Sequence, residues 1–358
     1  MFLGLRDLVH AKGRFSLIGA VVGLITLLLV MLTGLTGGLG QQNTSALEAL
    51  DPDRFVFAAT TPGEEAEVSF TDSQITTGLV EQWRDLDGID TVVPLGATQT
   101  RLEATGASSV AVLGMPAGAE LPGGGTLGEG LVLSESVAEE QNIATGDTVT
   151  LGGQEVEVTG TTADEYYSHS PVVWTDTGTW TEVAHVGDRV VGTALLVDGS
   201  LDKEAWATAA AATDTTATDT SGAFAGLPAY SSEQGSLVTM QGFLYAISAL
   251  VTVSFLTVWT IQRTRDLSIL RALGASGRYL LRDALGQSAV ILALGTTLGA
   301  LLGWGLGTLA GQAVPFELSV LNVAGPAIGI WLLGMLGAFF ATRKVSQVDP
   351  MIALGGNA

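Results

Sequence analysis

Four long apolar runs stand out along the chain, and a long segment of quite different pattern separates the first from the other three. The first run, Ser16–Leu39, contains no charged residue. A helix needs roughly 20 apolar residues to cross about 30 Å of hydrocarbon, so 16–39 is predicted to span a membrane. It is much longer than the roughly 7–15-residue apolar core of a cleaved signal peptide, and is expected to be retained. Three further spans are predicted at 237–262, 285–313 and 320–341. Between them, residues 41–235 read as alternating short strands and helices. Gln154–Gly160 alternates apolar and polar positions as a half-buried strand does. Val92–Leu102 and Val110–Leu113 also read as strands. Ser73–Leu86 reads as a helix with Ile75, Leu79 and Trp83 on one face, and Gly130–Leu151 as strand, short helix, turn, strand. Ala207–Gly222 is low in complexity and reads either as an Ala-rich helix fraying into a linker or as a disordered stretch. The predicted fold is an α-helical membrane protein with four transmembrane helices, one before and three after a large insertion, plus a mixed α/β extracellular domain.

Charge divides the chain in the same way. The net charge of −21 is not evenly spread. Residues 41–235 hold five basic and 31 acidic side chains, a net of −26, whereas the rest holds ten basic and five acidic, a net of +5. Scattered carboxylates at this density keep an exposed domain soluble. Basic residues in short flanking segments mark the cytoplasmic side. Residues 1–15 carry three, the linker 263–283 carries five and the tail 342–358 carries two, while the 315–319 loop has none. Both termini and the linker are therefore expected inside, and 41–235 outside. Residues 1–15 read as an amphipathic cytoplasmic helix. The chain has no cysteine, which excludes disulfides and thiolate ligands.

Gly295, Gly299, Gly303, Gly307 and Gly311 recur every fourth residue in the third span. Such a stripe lets another helix approach closely where lipid supplies no hydrophobic drive. None of the four apolar cores contains Asp, Glu, Lys or Arg, whereas an ion-coupled carrier usually carries one. The energy for any transport is expected to come from elsewhere. No G-x-x-x-x-G-K-[ST] loop occurs, so this chain is expected to be non-catalytic.

The linker reads RTRDLSILRALGASGRYLL. Leu267, Leu270 and Leu273 give it an apolar stripe. Gly274 suits a helix C-terminus and Ser276 the cap of the next helix. A short amphipathic helix of this kind can sit in a groove on another protein or rest on the membrane. The motif resembles the coupling-helix signature of the FtsX/MacB superfamily of ABC permeases, with Asp266 and Ser268 where Glu and Gly are usual. The segment VLSESVAEEQNIATGDTVTLGGQEVEVTG is similar to that family's outer domain. The resemblance implies a homodimeric permease whose linker helix, through Leu267, Ile269, Leu270, Arg271, Leu273 and Gly274, docks on a separate dimeric ABC ATPase that binds the ATP. It implies membrane lipid around the spans, no nucleic-acid partner, no metal and no intrinsic cofactor.

The N-terminal text MFLGLRDLVHAKGRFSLIG and the stretch LPAYSSEQGSLVTM resemble the HrtB-type haem-exporter permeases of Gram-positive bacteria. That resemblance implies haem as the transported substrate and a Gram-positive, actinobacterial plasma membrane. Haem iron takes His, Met or Tyr ligands, among others. Glu48, Tyr167, His169, Tyr230, Met240 and Met31 are the candidate contacts. An aromatic-belt anchor is the alternative for each tyrosine, and a core position for Met31. Export of a peptide, antibiotic or lipoprotein, or an FtsX-like scaffold for a cell-wall hydrolase, are the alternative functions.

Overall fold

The computed structural model describes residues 12–61, 63–228, 230–262 and 276–345. The coupling segment Leu267–Gly274 therefore lies outside the described residues, as do residues 1–11 of the expected N-terminal helix and the tail beyond 345. In chain order the elements are α1 (Lys12–Leu50), β1 (Arg54–Ala58), β2 (Ile75–Thr76), α2 (Thr77–Arg84), β3 (Ile89–Glu103), β4 (Ala107–Met115), β5 (Leu131–Ser134) and α3 (Glu135–Gln141). There follow β6 (Thr148–Leu151), β7 (Gln154–Thr162), β8 (Tyr166–Tyr167), β9 (Ser170–Asp176), α4 (Thr177–Ala184), β10 (Val190–Gly192), β11 (Ala194–Gly199) and α5 (Lys203–Ala212). The chain continues through β12 (Thr215–Thr218), α6 (Thr220–Ala223), α7 (Tyr230–Gln262), α8 (Gly277–Ala310) and α9 (Val320–Val345). It divides into two compact units, a helical one (Met1–Gly38 with Gly235–Ala358) and a mixed α/β one (Leu39–Gln234).

Among the described residues, four helical stretches are long and apolar enough to cross a membrane: Ser16–Leu50, Tyr230–Phe255, Gly277–Ala310 and Val320–Phe340. The first helix does not stop at Leu39 as the apolar run does. Its last turns belong to the α/β unit, where Ala46 and Leu47 are fully buried. Tertiary burial, not lipid, stabilises that extension. Likewise α7 begins at Tyr230, before the apolar run starts.

Within the helical unit, Ile18, Val22 and Leu29 of α1 pack with Ile291 and Leu292 of α8 and Ile330 of α9. A methyl group at Gly295 would meet the Gly19 carbonyl at 2.9 Å, and one at Gly303 would meet Val30 at 2.7 Å. At Gly299 it would run into the Gly23 carbonyl and the Thr26 side chain. Three glycines of the stripe thus seat α8 on α1. Gly307 instead lies under the Phe316 ring, and Gly311 makes only ordinary contacts. Phe316 also covers Gly34, and Pro315 and Glu317 crowd Gly38 and Gly37, so the α8–α9 loop rests in a notch cut by glycines of α1.

The α/β unit is built on a ten-stranded sheet in the order β12-β1-β11-β3-β4-β9-β5-β7-β6, with β8 paired to β9. The 15-residue β3 serves two lobes. Its first half pairs antiparallel with β11 (Val93↔Leu196), and its second half with β4 (Arg101↔Ser109). Its last residues also pair with β6 (Leu102↔Leu151), folding the sheet back on itself. One core lies between α2, α5 and the β1/β11 face, around Trp83, Trp206 and Val197. A second gathers Leu102, Val112, Leu133, Val173 and Trp180. A third joins the end of α1 to the sheet through Leu47, Phe55, Phe70, Leu113 and Trp174.

Two local expectations change. In the segment expected to be an Ala-rich helix fraying into a linker or a disordered stretch, the helix is present to Ala212, and the remainder is ordered as β12 and α6. Asp202 caps α5, whose Trp206, Ala209 and Ala210 are buried on the sheet, and β12 pairs with β1. A low-complexity string still folds when its alanines fill a flat interface. The helix expected over Ser73–Leu86 begins only at Thr77, capped by Thr76, because Ile75 pairs in β2 with Gly192. Its buried face is Val80 and Trp83.

Candidate functional site

The candidate site is in the α/β unit, where α1 ends and α7 begins. The β8–β9 hairpin turns on two residues, Ser168 (φ 46°) and His169 (φ 64°). Two-residue hairpin loops favour positive φ at both positions, which normally selects Asn-Gly. Ser-His pays a steric cost there, of the order of 1 kcal/mol per residue. The offset comes from α1. Ser168 N–H donates to the Asn43 carbonyl (3.1 Å), His169 N–H to the Gln42 carbonyl (2.8 Å), and Tyr166 N–H to Ser45 Oγ (2.8 Å). From the sheet side, Gln99 Nε2 donates to the Ser168 carbonyl and to Ser170 Oγ, both at 3.0 Å.

Three side chains meet at the turn. His169 Nε2 is 3.0 Å from Glu233 Oε2 on the first turn of α7. Asn43 Nδ2 is 3.0 Å from the same ring nitrogen and donates to Glu233 Oε2 at 3.1 Å. A carboxylate only accepts, so the ring nitrogen facing it carries the proton. Asn43 is buried.

One helical turn before Glu233, Tyr230 is half-buried and packs edge-on against Phe224, with ring centroids 5.7 Å apart. Its phenol hydrogen-bonds Gln234 and lies within the electrostatic reach of Glu48. Glu48 is exposed on α1 and accepts from Thr44 Oγ1 at 2.8 Å. Glu48 and Tyr230, distant in sequence, therefore lie within electrostatic reach of each other, and Tyr230 sits one helical turn before the Glu233 that His169 contacts.

The other sequence candidates separate from these. Tyr167 is only 4% exposed and packs in the core against Phe70, with ring centroids 5.6 Å apart. Burial pushes its phenol well above the ordinary tyrosine range. Met31 on α1 and Met240 on α7 belong to the helical unit, Met31 half-buried and Met240 exposed. Asn43 and Glu233 were not singled out from sequence. Their one signal was position, in polar stretches where each apolar run continues as helix. The helical unit has its own concavity, an α1–α8 groove of about 630 Å³ lined by Gly19, Leu24, Leu27, Leu294 and Leu298. Apart from Ser16, its walls offer no polar side chain to orient a ligand.

Comparison with known proteins places this architecture. A model of the MacB-like periplasmic core domain matches residues 15–218, and one of the FtsX-like permease C-terminal domain matches residues 238–350. Over its length the chain is similar to "Putative hemin transport system permease protein HrtB" of Staphylococcus epidermidis, at 22% identity over 366 residues, covering 99% of each chain. A stretch of 126 residues is 29% identical to the macrolide export ATP-binding/permease protein MacB of Wolinella succinogenes, covering 34% of this chain and 20% of that one. Among solved structures, the periplasmic region of MacB from Actinobacillus actinomycetemcomitans aligns with 49% of this chain and 92% of its own, at 16% identity and a TM-score of 0.35. With one model spanning more than half of the chain and the other covering the three C-terminal apolar helices, the chain belongs to the FtsX/MacB superfamily of ABC-transporter permeases.

Proposed function

We propose that the chain is the permease subunit of an ABC efflux transporter that exports haem from the plasma membrane. The observation that carries this reading is the similarity to a hemin-transport permease along 99% of both chains. The nearness of Glu48 and Tyr230 supports it, since haem iron has two axial positions, of which a phenolate can take one and a carboxylate the other. Tyr230 suits that role better than Tyr167. A phenol as deeply buried as Tyr167 resists the ionisation that ligation requires.

In this reading the four apolar helices span the membrane, with both termini and the 263–283 linker in the cytoplasm and the α/β unit outside. Two copies pair, and Leu267–Gly274 of each docks on a cytoplasmic ATPase. ATP binding there moves α1 and α7, whose outer ends frame the Glu48–Tyr230 pair.

The test is a haem titration of the full chain in lipid nanodiscs, read by the Soret band. The wild type is expected to bind. Tyr230→Phe combined with Glu48→Gln is expected to weaken binding about tenfold or more, as loss of a ligand and a charged partner should. A wild type that binds no haem sinks the cargo, and an unchanged double variant sinks the site.

A further inference from the structure

The Ser168–His169 turn does more than close a hairpin. It is strained, with two successive non-glycine residues in the left-handed region. It is held from both sides, by Gln99 on the sheet and by carbonyls of Gln42 and Asn43 on α1. Its His169 side chain reaches Glu233 on α7, and buried Asn43 on α1 donates to the same carboxylate. A single Glu233 oxygen thus receives donors from the hairpin and from α1. The carbonyls that hold the turn also lie inside α1, where each already has a helical donor available. These bonds can therefore break without leaving the helix unsatisfied.

We infer that the Ser168–His169 turn is a latch: it clips the last turns of α1 to the first turn of α7, and its release opens the space beside Glu48 and Tyr230. The gating of cargo rests on the proposed haem site, but the clip itself does not. His169 acts here as a positioning residue, setting the spacing of two helices. The partly exposed His169–Glu233 contact is individually weak, as a releasable clip requires. The strained turn favours release further.

The chain has no cysteine, so a pair of spin labels can be placed at Ala49→Cys and Ser231→Cys, both exposed, in the full chain in nanodiscs. With the labelled chain diluted in excess unlabelled chain, so that only distances within one copy are read, a single narrow distance is expected for the otherwise unaltered chain. His169→Ala and Glu233→Gln should each add a longer distance. Ser168→Asn with His169→Gly restores a turn-favouring pair but removes the imidazole, and should add the same longer distance while the turn stays folded. If both His169→Ala and Glu233→Gln leave the distances unchanged, the latch is wrong. If His169→Ala widens the spacing but the Asn-Gly variant does not, turn collapse was responsible and the latch is again wrong. Haem dissociation about threefold faster in Glu233→Gln would support the gating role. An unchanged rate with altered distances would leave the clip standing and remove the gate.

Discussion

Asp176 illustrates how one side chain fixes an element. It ends β9 and caps α4, accepting from Thr179 N–H (3.0 Å) and Thr179 Oγ1 (2.7 Å), with Gly130 N–H at 3.4 Å. Burial alone would raise its pKa, but the hydrogen bonds from Thr179, Gly130 and Gly178 outweigh burial and hold it below the ordinary carboxylate value. A lowered folded-state pKa contributes stability above the unfolded value of about 3.9, and that contribution is lost as pH falls through the folded value. Asp176→Ala is therefore expected to destabilise the chain by about 1 kcal/mol at neutral pH. In thermal melts the gap from wild type should narrow below about pH 4. A gap that stays constant in acid would contradict the assignment. Some of this was legible in sequence, since Asp before a helix-like run is a cap signal. The Ser168–His169 turn was not, because neither residue advertises positive φ.

At the level of elements, the contact of α1 with α8 depends on absent side chains. The four-residue spacing made the glycine stripe of α8 visible in sequence. Its partner, and the divergence of Gly307 and Gly311 from that partner, required the structure. A side chain at Gly299 would press on the Gly23 backbone, which has little room to yield, whereas one at Gly305 would meet nothing within 4 Å. Gly299→Leu is expected to cost about 1–3 kcal/mol as overpacking, and Gly305→Leu less than about 0.5 kcal/mol. Melting temperatures of the two variants in detergent would show the difference, and equal shifts would refute the packing argument. Helix ends were less legible than helix centres. Apolar runs mark where lipid favours a helix, but α1 continues to Leu50 because Ala46 and Leu47 find a protein core instead.

For the whole molecule, the charge distribution makes the strongest statement. The acidic balance resides in 41–235, and the linker is basic, a bias that in the proposed topology puts the linker inside. Single cysteines at Glu139 and Arg278, both exposed, offer a direct check. In intact cells an impermeant maleimide should label Glu139→Cys but not Arg278→Cys, and permeabilisation should expose the second. The reverse pattern would overturn the topology.

Hydrophobic runs and net charge are sums over neighbouring residues, so the four apolar helices, the acidic α/β insertion between them and the permease family were all readable from the linear chain. The site is not such a sum. Asn43 and His169 are 126 positions apart, and Glu233 a further 64. They meet only because sheet register places the β8–β9 hairpin against the last turns of α1. Burial likewise separated Tyr167 from Tyr230, two tyrosines that sequence could not rank. Folding settled both, because the desolvation of a phenol and the partners of an imidazole depend on neighbours that are remote along the chain.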